Sequence, residues 1–203
     1  MKEASHSFWG GPPLRAFSGG ALVVMASCRL AFALTTLGAL VWVYVLSVLA
    51  VCAVSSFFPQ KGKYFTFLFL SAFAAGLYIL LLWLLSPLLG MQILFITALV
   101  PLVFSGSGIL ERADTGDMLE AAVRAFSEAF ALGVLVVAFS LIREPLGCLS
   151  LSLPGGIQGF VRIFSFDGGN FLPVRIASSS AGALILLGYG AGIYRRIYPE
   201  KEP

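Results

Sequence analysis

Long apolar runs divided by short polar breaks set the pattern of this chain. The first run covers about Ala16 to Ala33, with Gly19-Gly20 inside it. The second covers about Leu34 to Phe58 and ends at Pro59, ahead of Lys61 and Lys63. The third runs from Tyr64 to Leu85 and is stopped by Ser86-Pro87. The fourth runs from Met91 to Leu110, interrupted by Pro101 and by Ser105-Gly106-Ser107-Gly108. A polar segment, Glu111 to Glu120, precedes the fifth run, Met118 to Ile142, which the pattern ends at Arg143-Glu144-Pro145. A Gly/Leu-rich connection, Leu146 to Asn170, leads to the sixth run, Phe171 to Tyr194, closed by Arg195-Arg196. A helix crossing a membrane needs about 20 mostly apolar residues. A barrel strand alternates polar and apolar positions over about 10 residues. These runs are continuous and long, so they predict an all-α membrane protein with six transmembrane helices.

Composition narrows the class. The chain has 203 residues, 59% hydrophobic and only 11% charged, with mean hydropathy +0.95. A soluble domain carries about 25% charged residues, so this chain cannot cover its own surface in water. The net charge of +3 is too small to argue for nucleic acid. Cys28, Cys52 and Cys148 are scattered, and His6 is the single histidine, so a Cys/His metal site has no support. Val24-Met25-Ala26-Ser27-Cys28 faintly resembles a lipoprotein cleavage box, but the apolar run that follows at once reads as a multi-span protein. No nucleophile–base pair, phosphate loop or paired membrane carboxylates occur, so the chain is not expected to be catalytic alone.

Lys and Arg set the expected orientation. With six helices and both termini inside, the inside holds Lys2, Arg15, Lys61, Lys63, Arg112, Arg124, Arg195, Arg196 and Lys201. The outside holds Arg29, Arg143, Arg162 and Arg175. Nine against four predicts both termini in the cytoplasm.

The chain also repeats itself. Phe17-Ser18-Gly19-Gly20 recurs as Phe104-Ser105-Gly106-Ser107, each copy in the first span of a half and followed by two more spans. The halves are 1–88 and 89–203, within one membrane domain. Three helices per half force the second half to run inverted, with broken first and fourth helices meeting near the midplane. Single glycines in membrane helices usually serve close packing; matched breaks favour a functional reading of Gly19, Gly20, Gly106 and Ser107.

Other polar groups leave alternatives open. Arg143 and Glu144 are either functional charges at membrane depth or a helix terminus anchored at the headgroups. Glu111, Arg112, Asp114 and Asp117 either bind a cation or dock a soluble partner, or form an ordinary solvated loop with helix-capping acids. Asp117 with Glu120 has the spacing of a capping box. Glu120 and Arg124, four apart, read as a helical ion pair.

At these residues the chain resembles a known family. Pro101-Leu102-Val103 leading to Ser105-Gly106-Ser107 and Glu111-Arg112-Ala113-Asp114 is similar to a Pro-Leu-Ile-Val-Thr-Asn-Cys … Gly-Arg-Ala-Glu stretch in the integral membrane subunits of the Rnf electron-transport complex and the sodium-pumping NADH:quinone oxidoreductase. Ser140 to Gly147 resembles that family's Arg-Glu-Ile-Leu-Gly stretch, and Val161-Arg162-Ile163-Phe164 and the Gly-rich last helix also fit. The likeness is greatest to the E-type subunit of Rnf and the D-type subunit of the sodium pump. It implies six helices in inverted halves, a sister membrane subunit of opposite topology and further subunits of the complex. It also implies a two-iron, two-sulfur cluster between the sisters, held partly by one cysteine from each broken helix. Those cysteines fall on Gly20 and Ser107 here, and clusters need thiolates, so no cofactor is expected on this chain. The leading hypothesis that the resemblance implies is a membrane-embedded, non-catalytic subunit of an Rnf-like ion-translocating electron-transport complex; the second is a small-molecule or ion transporter subunit with the same inverted-repeat fold. The third is a packing scaffold.

Overall fold

The computed structural model describes residues 13–54, 63–106, 118–155, 159–165 and 175–197. These residues are nearly all helical. The order is α1 (Pro13–Ala26), α2 (Leu30–Val54), α3 (Lys63–Leu85), α4 (Pro87–Gly106), α5 (Met118–Cys148), a hairpin of β1 (Ser150–Pro154) and β2 (Phe160–Ser165), then α6 (Arg175–Ser178) and α7 (Ser180–Ile197).

Among the described residues, four helices are long and apolar enough to cross a membrane: α2, α3, α4 and α5. They give the chain the architecture of a multi-pass membrane protein. Exposure agrees with lipid as the solvent. Phe65, Phe69 and Phe73 lie one turn apart on α3 and are 82%, 72% and 61% exposed. Such an apolar stripe is a liability in water and is ordinary against acyl chains.

α2 is the central helix, packed on α3, α4 and α5. Its Leu40, Val43, Val48 and Val51 are fully buried. Gly133 of α5 lets the two backbones close in: a Cβ there would stand 2.8 Å from Leu37 Cγ. The Tyr78 hydroxyl of α3 donates to the Thr35 carbonyl of α2 at 2.8 Å. Tyr44 of α2 meets Phe104 of α4 edge-to-face, with centroids 4.9 Å apart. Trp42 sits mid-length on α2, near the Tyr78 ring.

Several boundaries differ from expectation for physical reasons. α1 ends at Ala26, earlier than the apolar run does, and its 14 described residues reach about 21 Å. It is not broken at Gly19-Gly20; the helix runs through both, because its backbone hydrogen bonds need no side chain there. α4 likewise continues through Pro101 to Gly106. Pro87 opens α4, where its missing N–H costs nothing, and Ser86 alone separates α3 from α4. α5 does not stop at Ile142. It runs through Arg143, Glu144 and Pro145 to Cys148, and the stop is Leu149, whose φ of 49° is left-handed.

The Gly/Leu-rich connection carries a short antiparallel hairpin beside the helices. Ser150 pairs with Ser165 and Pro154 with Phe160, with one register shift between Leu151 and Ser152. The expected sixth span divides at Ser179 into α6 and α7. The Ser179 Oγ caps α7, accepting from the Gly182 N–H at 3.3 Å.

Candidate functional site

The one densely bonded polar site among the described residues lies at the end of α5. Arg143 is 2% exposed and Glu144 1%. A guanidinium has five N–H donors in a planar fork, and here each has an acceptor. Nε donates to the Ala177 carbonyl at 2.8 Å. One terminal nitrogen donates to the Val24 carbonyl at 2.8 Å and the Ser27 Oγ at 2.9 Å. The other donates to the carbonyls of Ser178 and Ser179, both at 2.8 Å.

These acceptors share an origin. Val24 belongs to the last turn of α1, and Ala177 and Ser178 end α6. Helix C-termini leave carbonyls without intrahelical partners and carry partial negative charge. Arg143 therefore caps two helices at once and ties both to α5. No carboxylate lies among its partners, so the charge is met by backbone dipoles rather than by an ion pair.

Glu144 does the converse. Its carboxyl Oε2 accepts from the Leu30 N–H at 2.7 Å. Leu30 starts α2, where N–H groups lack intrahelical partners and the dipole is positive. Adjacent residues of opposite sign thus hold the end of α1 and the start of α2, with the turn Ser27–Arg29 between them. The Arg29 guanidinium then lies 4.1 Å from the centroid of Phe160 in β2, a cation–π contact that joins the turn to the hairpin. Gly147, one turn past Arg143, keeps α5 against α6: a Cβ there would lie 2.8 Å from Ser178 N.

The sequence-derived candidates separate. Arg143 and Glu144 come together in this clamp, both buried within the protein. Gly19 is buried in α1 and Gly20 half-buried, and a Cβ on Gly20 would meet nothing within 4 Å. Gly106 is the last residue of α4. Ser107, Arg112 and Asp114 lie outside the described residues, as do Glu111 and Asp117. Glu120 and Arg124 form the expected exposed ion pair at 2.6 Å.

The cluster implied by the resemblance does not suit the residue at Gly20, which offers no donor atom in place of a thiolate. Cys28, eight residues on, stands beyond the end of α1 in the turn, about 12 Å along a helix axis. Sequence reasoning missed the clamp's partners. Four of the five acceptors are backbone carbonyls, of residues 24 and 177–179, which no side-chain motif announces; the fifth is the Ser27 hydroxyl.

Comparison with protein-family models gives no match to this chain, and comparison with curated proteins gives none either.

Proposed function

We propose that the chain is a membrane-embedded, non-catalytic subunit of an ion-translocating electron-transport complex of the Rnf and sodium-pumping quinone oxidoreductase kind, without an iron–sulfur cluster of its own. The observation that carries this reading is the Arg143-Glu144 clamp. It falls on the stretch where the sequence resembles that family's Arg-Glu motif, and it gives the motif a physical reason: two charges that fasten three helix ends.

Helix pairing adds support. α1 packs on α4, and α2 packs on α5. If 1–88 and 89–203 are inverted copies, these are the pairs that correspond, and an axis in the membrane plane sets each helix against its counterpart. On this reading six segments make two inverted halves, and both termini face the cytoplasm. A sister subunit of opposite topology covers part of the apolar surface, and lipid covers the rest. Electrons pass through groups held by other subunits.

The test is isolation of the full chain from its native membrane, with identification of what accompanies it and chemical analysis for iron. A second multi-span subunit and flavin-bearing subunits are expected in stoichiometric amounts. Isolation of the chain alone, together with solute uptake when it is placed in liposomes, would replace this reading with that of a transporter. An iron–sulfur EPR signal that disappears on changes near Gly20 would overturn the cluster-free part.

A further inference from the structure

Two cysteines that the clamp does not use converge on it. Cys28 is the middle residue of the turn Ser27–Arg29, and Ser27 before it and Leu30 two residues after it are pinned to α5. The Ser27 Oγ accepts from Arg143 at 2.9 Å, and the Leu30 N–H donates to Glu144 at 2.7 Å. Cys148 ends α5. It lies four residues past Glu144, hence on the same helical face and about 6 Å further along the axis.

The direction of that step matters. α5 runs antiparallel to α2, since Glu144 meets Leu30 while Gly133 meets Leu37. Continuing α5 past Glu144 therefore leads off the start of α2 and into the turn that holds Cys28. Burial pushes the Cys28 thiol up, and the Arg143 and Arg29 guanidiniums pull it back part of the way. No disulfide joins the two; Cys28 is half-buried and Cys148 exposed. Cys52 is remote, 22 residues into α2 from Leu30, or about 33 Å away.

We propose that Cys28 and Cys148 form a dithiol site that reacts with small disulfides and closes to an intramolecular disulfide, fastening the α1–α2 turn covalently to the end of α5. The exposed Cys148 thiolate attacks one sulfur of the small disulfide. The reagent's S–S bond breaks and its first half leaves as a thiolate. The Cys28 thiolate then attacks the Cys148 sulfur, the protein S–S bond forms and the second half leaves. The protein gives up two electrons and two thiol protons. The small disulfide takes both, ending as two thiols. The Lys and Arg balance expects this end of the molecule on the outer face, where such bonds persist. The geometric argument stands without that expectation.

The experiment uses the full chain in detergent micelles with dithiodipyridine as the probe. Closure releases both halves of the reagent per Cys28–Cys148 pair and retains neither. Digestion and mass spectrometry then give a peptide linked through these two residues. Cys28→Ser is expected to trap half of the reagent on Cys148, and Cys52→Ser to leave closure intact. The closed form is expected to melt ~5–10 °C higher, because the bond closes a loop of more than 100 residues. Separate adducts retained on Cys28 and Cys148 of the wild type would overturn the proposal. So would links found only between chains, or a Cys148 that reacts while Cys28 stays a thiol.

Discussion

Replacing Arg143 by methionine removes the fork that fastens α1 and α6 to α5 while keeping a long apolar side chain. Five hydrogen bonds are lost. A bond from a charged donor nets about 1.5–3 kcal/mol, so the gross loss is on the order of 7–15 kcal/mol. Methionine recovers the cost of keeping a guanidinium out of water, several kcal/mol. One orphaned acceptor also keeps another donor, because the Ser179 carbonyl already accepts from Ala183 N. The difference leaves a destabilisation of ~3–5 kcal/mol. For a chain of this size each kcal/mol moves the melting temperature by about 2–4 °C, so a fall of roughly 10 °C is expected. Intrinsic fluorescence of the detergent-solubilised protein during heating reads it. Arg143→Lys sharpens the test. An ammonium keeps the charge but has three donors and no planar fork, so it should recover less than half of the loss. Ser27→Ala alone should cost about 1 kcal/mol, and almost nothing further on top of Arg143→Met. A methionine variant that melts within about 2 °C of wild type, or full rescue by lysine, refutes the clamp.

The remaining predictions concern single positions. Glu144→Ala leaves the Leu30 N–H without its partner and should cost about 1–2 kcal/mol, as the loss of a helix cap does; Glu144→Gln keeps an oxygen in place and should cost less than half as much, read by the same melts. Leu149 holds a left-handed backbone, so Leu149→Gly should leave stability unchanged or raise it by up to about 1 kcal/mol. A clear loss there would mean that its side chain matters more than its φ. Gly133→Ala forces a methyl against Leu37 and should destabilise by ~1–3 kcal/mol, with the gap between α5 and α2 read by cross-linking. Gly20→Cys enters open space and should melt with wild type, while the new thiol reacts with a small maleimide.

Much of this architecture was legible before any coordinates, and the limits have physical causes. α2 to α5 were visible because a spanning helix must be apolar around its whole circumference for about 20 residues, a demand few other structures make. The hairpin was hidden. Ser150 to Leu153 alternates, and Pro154-Gly155-Gly156 follows as a turn signal, but four residues of alternation are too short to stand out beside apolar runs. α5 was cut short because Pro145 reads as a stop. Within a last turn, proline sacrifices only one backbone bond, and the real terminator is the conformation of Leu149. Arg143 and Glu144 stand out in the sequence as unusual charges, yet their role depends on backbone groups of distant residues of any type, carbonyls for Arg143 and the Leu30 N–H for Glu144.

The cage around Arg143 also imposes an order of assembly. Two of its acceptors, on Val24 and Ser27, are synthesised well before it, but the other three come 34, 35 and 36 residues after it. During biogenesis the guanidinium must therefore wait, half-satisfied, until the segment around Ala177 to Ser179 arrives. Helices α1 to α5 can be inserted and in contact, yet the bundle is not latched until its C-terminal portion swings in.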